Sequence, residues 1–285
     1  ITTSLLLFSV AQAYAQDRAA APGSCDLAHM PGVATQQLMS RQRPRTYRLF
    51  VPPGYDGHQR LPLVIDLHGS GGSSAGEARN SGLEMVSASG ERFIVATLDA
   101  ADARWNVPAQ NGRPDDVAYV SDVIDHVAAR VCTDLARVYA TGFSGGARMT
   151  SLLGCRLGSR IAAIAPVSGL RLPGAGCSGR AVPVLTFHGL ADPQNTYEGH
   201  EPDRGEEWLE SVPDALAGWA RHDSCKGNAI LDDPPGPLST MRYEGCADGS
   251  EVRMIRIDGL GHAWTRKEVD TTVVMWQFFK SHRLN

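Results

Sequence analysis

The hydrophobic positions along the chain follow two periods. Short apolar runs that end in glycine or proline predict β-strands, and apolar residues three or four positions apart predict helices. Strands are predicted from near Gly32 onward, over residues 46–54, 61–69, 92–100, 136–142, 161–169, 182–189 and 251–259. Helices are predicted over residues 115–131, 213–222 and 268–282, and a further helical pattern follows residue 144.

Several of these strands have almost no polar position. The stretch LPLVIDLHG over 61–69 is nearly continuous in apolar residues, which is typical of a strand buried on both faces of a mostly parallel sheet. Strands that alternate with helices favour a doubly wound α/β sheet. Internal repeats and linker-like segments are absent from the sequence. We therefore expect an α/β fold in a single domain.

The N-terminal segment has the pattern of a secretory signal. An apolar core from Leu5 to Val10 precedes Ala13-Tyr14-Ala15, an A-x-A cleavage pattern. The core is much shorter than the roughly 20 residues that cross a membrane. We predict a signal over 1–15, a leader and first strand over 16–44, and the main domain over 45–285. The missing Met and basic n-region indicate that the sequence starts within the signal. A buried N-terminal helix is the alternative.

The amino-acid composition restricts the kinds of molecule that we expect this protein to bind. The 285 residues carry a net charge of −4, with 42% hydrophobic and 20% charged residues, and no basic run that would favour nucleic acid. We expect neither a nucleic-acid nor a membrane partner, and the oligomeric state stays open.

The six cysteines form no CxxC pair, so disulfides in an oxidising compartment fit better than a metal site. This favours a secreted protein, extracellular or periplasmic. Six cysteines allow 15 pairings. The eleven residues between positions 144 and 155 cover about 16 Å of helix, which returns Cys155 to the level of Cys132. Cys225 and Cys246 flank a local loop. We expect the pairs Cys132–Cys155, Cys225–Cys246 and, by elimination, Cys25–Cys177.

Polar and glycine residues gather where the predicted strands end. In open α/β sheets, ligands bind at the carboxyl ends of the strands. Four of these ends carry, in chain order, the loop His68–Gly72, the turn Gly142–Gly146 with Ser144, the segment His188–Asp192, and the segment Gly259–Trp264 with His262. The order Ser, Asp, His is that of the α/β-hydrolase triad.

These three residues make a hydrolytic mechanism the main hypothesis. A serine hydroxyl needs a base to become a nucleophile. His262 would accept the proton of Ser144, and Asp192 would orient the imidazole. Each residue also has an ordinary alternative: Ser144 in a glycine-rich connection, Asp192 as a turn former, and His262 as a loop histidine. The joint order at the strand ends favours catalysis.

The same reaction needs hydrogen-bond donors for a developing oxyanion. The backbone N–H of Gly145, directly after Ser144, is one predicted donor. The glycine loop would supply the second, from Ser70 or, as the weaker alternative, from Gly69. No cofactor and no metal are needed for this chemistry.

The chain resembles a known family more closely than the fold alone requires. The segments LPLVIDLHG, Trp105-Asn106, DDVAYVSDVID, RVYATGFSGG, RIAAIAPVSG, HGLAD and GLGHAW occur in this order between about residues 45 and 280. This ordered set resembles the secreted esterase group of feruloyl esterases, acetyl xylan esterases and polyhydroxybutyrate depolymerases. The resemblance implies the α/β-hydrolase fold, with 45–285 as the catalytic domain. Ser70 and Gly145 depart from residues common in that group, so the substrate stays open.

Aromatic residues near the strand ends are candidate substrate contacts. Trp105, Trp264 and Tyr197 are predicted to line the site, and Trp208 lies in a neighbouring loop. The alternative is that these rings pack their loops against the body. The first expectation is a feruloyl or acetyl ester attached to plant polysaccharide. A polyester depolymerase is the alternative, followed by a polymer amidase and by a non-catalytic binding protein on a hydrolase scaffold.

Overall fold

Ten strands form one mixed sheet in the computed structural model, which describes residues 25–172, 177, 179–199 and 210–285. The strands are β1 (Gly32–Ser40), β2 (Arg43–Val51), β3 (Leu61–Leu67), β4 (Ile94–Leu98), β5 (Thr133–Phe143), β6 (Ala163–Val167), β7 (Val184–Gly189), β8 (Lys226–Asp232), β9 (Leu238–Glu244) and β10 (Val252–Ile257). Their order in the sheet is β1-β2-β4-β3-β5-β6-β7-β10-β9-β8.

The centre of the sheet is parallel and its two edges are antiparallel hairpins. The strands from β4 to β10 in this order pair in parallel, whereas β1 with β2 and β8 with β9 are antiparallel. All seven residues of β3 are buried, and all seven of β8 are exposed. The mostly parallel sheet is therefore confirmed. The sequence prediction missed the β8–β9 hairpin because an exposed edge strand has no apolar run to mark it.

Among the described residues, six α-helices cover the two faces of the sheet. They are α1 (Ser74–Ser81), α2 (Leu83–Val86), α3 (Asp116–Ala128), α4 (Gly145–Arg156), α5 (Val212–His222) and α6 (Thr271–Lys280). Residues of α3, α4 and α5 pack into one buried cluster, and residues of α2 and α6 pack into a second. Side chains of Asp115, Ser211 and Asp270 cap three of the N-termini by accepting a backbone N–H of the first turn.

All six cysteines form disulfides, but two predicted pairs are wrong. The bonds join Cys25 to Cys132, Cys155 to Cys177, and Cys225 to Cys246, with Cα separations of 5.5, 5.0 and 3.6 Å. Only the local Cys225–Cys246 pair is confirmed. The pairing of Cys132 with Cys155 and of Cys25 with Cys177 had to be corrected.

The two wrong pairs were predicted from the length of α4. That length gives the position of Cys155 along the helix axis, but not its position across the sheet. Helix α4 packs over β5 and β6, and the Cα of Gly154 faces side chains of Ile164 and Trp219. Its last turn thus lies on the side of the β6–β7 connection, where Cys177 is found. The leader is held beside Cys132 because the Leu27 N–H donates to Gly57 O and Tyr55 Oη donates to Leu27 O.

Two further predictions concern a membrane partner and the N-terminal signal. Within the described ranges, every helix is too short or too polar to cross a membrane. The predicted signal over 1–15 lies outside the described residues.

Candidate functional site

Ser144 lies at a strained turn between β5 and α4. Its backbone has φ 55° and ψ −112°, a conformation that L-residues rarely adopt. The Ser144 N–H donates to Val167 O at 3.0 Å, and the Ser144 carbonyl accepts the Arg148 N–H at 3.1 Å. Strain of this kind persists only where the surroundings fix the backbone, and it clusters at functional sites.

Glycine occupies the positions around Ser144 because neighbouring backbone atoms leave no room for a Cβ. A Cβ on Gly142 would lie 2.6 Å from Leu67 O, and a Cβ on Gly146 would overlap the same oxygen. A Cβ on Gly169 would lie 2.6 Å from the carbonyl oxygen of Ser144. Two neighbouring segments, at Leu67 and at Gly169, therefore approach the turn at backbone contact distance. This close packing keeps Ser144 in its unusual conformation.

Asp192 and His262 are brought together from the ends of β7 and β10. The distance from Asp192 Oδ2 to His262 Nδ1 is 2.7 Å, and the other carboxylate oxygen accepts the backbone N–H groups of Gln194 and Asn195. The His262 ring lies against Phe143, the residue before Ser144, with 4.7 Å between ring centroids. The sequence-predicted Asp192 and His262 thus meet at the strand ends, and His262 lies against the residue that precedes Ser144.

The surroundings of Asp192 keep it ionised. Burial alone would raise its pKa, but the hydrogen bonds from His262, Asn195 and Gln194 outweigh burial and lower the pKa below its ordinary value. The carboxylate is then anionic at neutral pH. Its contact with His262 favours the imidazole tautomer that carries the proton on Nδ1.

His188 lies beneath this pair and has a structural environment. It is fully buried, its Nε2 lies 2.7 Å from Asn195 O, and burial lowers its pKa to about 4. A neutral imidazole at this position supports the Asp192 loop without adding a charge.

The glycine loop His68–Gly72 faces the N-terminus of α4. The Ala100 N–H donates to His68 Nε2, so the proton lies on Nδ1, which donates to Gly69 O at 2.7 Å. A Cβ on Gly145 would come within 3.1 Å of the Ser70 backbone nitrogen. The backbones of Ser70 and Gly145, the two predicted oxyanion donors, are therefore neighbours.

The two tryptophans predicted to contact substrate are buried instead. Trp105 is 4% exposed and donates its indole N–H to His68 O at 2.8 Å. Trp264 is 9% exposed and donates to Thr272 Oγ1 at 3.0 Å. Their rings hold loops in place and offer no open face for stacking, so the expected role is not supported for either. Trp208 lies outside the described residues.

Tyr197 lies at the wall of a cavity beside the acid. This cavity has a volume of about 370 Å³ and is lined by Ala191, Asp192, Tyr197 and Arg256, among others. The Arg256 guanidinium lies 5.5 Å from the centroid of the Tyr197 ring. A second cavity of about 520 Å³ shares Leu190 and Arg256 and continues towards the β8–β9 turn. The two cavities form an open groove along this edge of the sheet.

Two buried carboxyl groups near the glycine loop were missed by the sequence reasoning. Asp66 is the penultimate residue of β3, and Glu77 lies on α1. The available signal was a single acid within the otherwise apolar run LPLVIDL. Among the residues that the structure describes, no cluster of side chains has the composition of a metal site.

Comparison with known proteins agrees with this geometry. The sequence model of the family described as Esterase PHB depolymerase matches residues 45–199. Feruloyl esterase B of Piromyces equi is 31% identical over 228 residues, covering 74% of this chain and 41% of that protein. The chain therefore spans less than half the length of that relative. Feruloyl esterase C of Emericella nidulans is 30% identical over 269 residues, covering 88% of this chain and 91% of the relative.

A solved structure extends the likeness to the whole fold. The acetyl xylan esterase from Aspergillus awamori superposes with a TM-score of 0.63 at 15% identity, covering 87% of this chain and 99% of that one. At this identity the likeness concerns the fold, which is the α/β-hydrolase fold. The family match covers more than half of the chain, and the feruloyl esterases match over most of it. The chain belongs to the Esterase PHB depolymerase family.

Proposed function

We propose that this protein is a secreted serine carboxylic-ester hydrolase that works through an acyl-enzyme. The observation that carries the proposal is the Asp192–His262 hydrogen bond beside Ser144, at a strained strand-to-helix turn that faces a glycine loop. Each group then has the neighbour that its chemistry needs.

In the proposed reaction Ser144 Oγ attacks the ester carbonyl carbon. His262 Nε2 takes the hydroxyl proton as the new C–O bond forms, and then gives that proton to the departing alcohol. The ester C–O bond breaks and the acyl group stays on Ser144. Water, deprotonated by His262, then attacks the acyl carbon. The bond from that carbon to Ser144 Oγ breaks, His262 returns the proton to Oγ, and the acid is released. Asp192 stabilises the imidazolium during both steps.

The carbonyl oxygen becomes negative in each step and needs donors already in place. We assign this role to the Gly145 and Ser70 N–H groups. The first N–H groups of a helix have no partner within the helix, which leaves that of Gly145 free to donate. The Gly69 N–H, the weaker alternative, donates to the carboxyl of Glu77. That contact favours Ser70 as the second donor.

The substrate class follows from the relatives. Relatives that span most of this chain are named feruloyl esterase C, and a structural neighbour is named acetyl xylan esterase. We propose a feruloyl or acetyl ester attached to plant polysaccharide, with the polymer near the open groove at Tyr197 and Arg256. The family description favours a polyhydroxybutyrate or related polyester as the second candidate. Secretion is supported by three disulfides, which persist in oxidising compartments.

Covalent labelling tests the serine mechanism. A fluorophosphonate probe should label the wild-type protein and leave the Ser144→Ala variant unlabelled. Ser168→Ala is the matched control, because Ser168 is a nearby serine that also has a positive φ. Folded wild-type protein that resists the probe would contradict the proposal.

A comparison of three substrates tests the substrate class. We expect release of ferulate from methyl ferulate and of the alcohol from an aryl acetate, without clearing of a polyhydroxybutyrate film. Clearing of the film without release of ferulate would reverse the order of the two candidates.

A further inference from the structure

Two carboxyl groups lie beneath the glycine loop and have no part in the mechanism above. Asp66 is fully buried in β3, two residues before His68, and Glu77 on α1 is only 4% exposed. Buried carboxylates are costly unless they are paired or hydrogen-bonded. Their position, directly under a catalytic loop, calls for a physical reason.

In the pair formed by Asp66 and Glu77, one carboxylate oxygen of Asp66 has no hydrogen-bond partner among the described residues. Asp66 Oδ2 accepts the hydroxyl of Ser81 at 2.8 Å and that of Thr97 at 3.5 Å, whereas Asp66 Oδ1 is buried and has no partner among the described residues. Glu77 accepts from Asn80 Nδ2 at 3.3 Å and from the Gly69 backbone N–H. A proton on Glu77 would supply the donor that Asp66 Oδ1 lacks.

The raised pKa values of the two carboxyls also indicate that Glu77 carries a proton. Burial, together with repulsion between the two acids, raises the pKa of Glu77 to about 9, and burial raises the pKa of Asp66 to about 7. Among the described residues, Glu84 on α2 adds to the repulsion on Asp66, and Arg48 on β2 is bound to Glu84 at 2.7 Å. At neutral pH Glu77 keeps its proton.

The Glu77 contact determines what the glycine loop can do. With the Gly69 N–H held from below, the next N–H along the chain, that of Ser70, is left to face Gly145 and the reacting carbonyl. The rest of the loop is fixed by bonds from Gly71 N to Ala103 O and from Gly72 N to Gly69 O. Two titratable side chains contact Gly69 in the described structure: Glu77 accepts its N–H, and His68 Nδ1 donates to its carbonyl oxygen.

The pair is also connected to the opposite wall of the site. Ser81, which donates to Asp66, accepts at its carbonyl oxygen the hydroxyl of Thr272, and Thr272 accepts the indole N–H of Trp264. Trp264 follows His262 by two residues. A chain of buried hydrogen bonds thus runs from the glycine loop to the segment that carries the proposed base.

We propose that Glu77 is a positioning residue for the oxyanion donors: in its protonated form it shares a hydrogen bond with Asp66 and holds the Gly69 N–H, so that the Ser70 N–H faces the reacting carbonyl. This inference rests on the proposed esterase function. Ionisation of Glu77 places two like charges together in a buried site, which loosens the loop.

Kinetics of two variants test the role. Glu77→Gln keeps an acceptor for Gly69 and resembles the protonated acid, so kcat at pH 7 should stay within about 3-fold of wild type. Glu77→Leu removes the acceptor and should lower kcat by about 10- to 100-fold, at or below the loss of one oxyanion donor, with KM little changed. The wild-type kcat should fall reversibly as the pH rises through about 9, and Glu77→Gln should lack this decline.

The control and the opposing outcomes keep the test decisive. Glu84→Gln removes a neighbouring acid and should preserve the alkaline decline. Wild-type kcat in Glu77→Leu, or an unchanged alkaline decline in Glu77→Gln, would overturn the proposal. If Glu77→Leu fails to fold, the pH profile of Glu77→Gln decides. The amide resonance of Gly69 should titrate with Glu77 even in a protein without esterase activity, which separates failure of this inference from failure of the proposed function.

Discussion

Two buried carboxyl groups of this fold have opposite protonation behaviour. Asp192 is 3% exposed and Asp66 is fully buried, yet the pKa of Asp192 is lowered and that of Asp66 is raised to about 7. Both side chains lie at the same edge of the sheet, near the carboxyl ends of parallel strands. Burial therefore does not decide which of them carries a proton.

The difference lies in the donors and in the neighbouring charge. Asp192 accepts from His262, a group that becomes positive in the proposed mechanism, and from two backbone N–H groups. Asp66 accepts from two neutral hydroxyls and lies near the carboxyl of Glu77. The fold thus provides an anion where the proposed mechanism needs a charge and, in the Asp66–Glu77 pair, a retained proton where we propose that a loop is held.

The largest expected effect belongs to the charged carboxylate. Replacing Asp192 with Asn keeps the shape but favours the wrong tautomer of His262, and we expect kcat to fall by about 10⁴-fold. Steady-state hydrolysis of an aryl acetate measures it. Asp125→Asn, at an exposed carboxylate paired with Arg160, is the control and should keep wild-type kcat. A loss of less than 10-fold at position 192 would remove the main distinction between the two carboxyls.

A smaller effect should appear in stability at alkaline pH. Because the folded pKa of Glu77 is raised, its stabilisation is complete below its ordinary pKa of 4.5 and is lost as the pH rises through about 9. Urea midpoints between pH 6 and 9.5 should therefore fall, and in Glu77→Gln they should fall less. Asp192 has the opposite sign: its stabilisation is present above its ordinary pKa of 3.8 and is lost as the pH falls through its lower folded value.

The same urea series contains its own check. Asp192→Asn should flatten the acid limb and leave the alkaline limb unchanged, whereas Glu77→Gln should do the reverse. Identical curves for the two variants would mean that the two sites do not differ in protonation, and the comparison would fail.

The smallest expected effect concerns the connection between the pair and the His262 segment. Thr272→Val deletes one buried donor and one buried acceptor, and should lower the free energy of unfolding by about 1–3 kcal/mol. The adjacent Thr271 is a matched control, since its hydroxyl is buried without a partner in the described structure. Thr271→Val should be neutral or stabilising in urea unfolding. Equal losses in the two variants would show that the Thr272 contacts carry no particular stability.

The sequence predicted the centre of this molecule better than its edges. Strands β3 and β7 were recognisable because burial on both faces produces apolar runs, and β5 and β10 were recognisable from their aliphatic and aromatic residues before a glycine. The order of the four strand ends along the chain could be seen without knowledge of the sheet. The β8–β9 hairpin could not be recognised, since its side chains are exposed or half-buried. The geometry of Asp192 and His262 agrees with the predicted site, and their catalytic role stays a prediction.

Other features depended on lateral contacts that spacing does not encode. The spacing along α4 predicted only a height for Cys155, and its partner was decided by the strand over which the helix lies. Trp105 and Trp264 follow predicted strand ends, but their indole N–H groups find buried acceptors, which turns the rings inward. Glu77 reaches Gly69 only through the way that α1 packs against β3.

The positive φ of Ser144 has a consequence for how such a protein evolves. Glycine adopts that backbone conformation without strain, so the backbone at this position favours a residue that has no hydroxyl. Under the proposed mechanism, selection for turnover acts continuously against a substitution that the fold itself favours. In a lineage released from that selection, the position of Ser144 is where drift towards glycine would bring both greater stability and the end of the proposed chemistry.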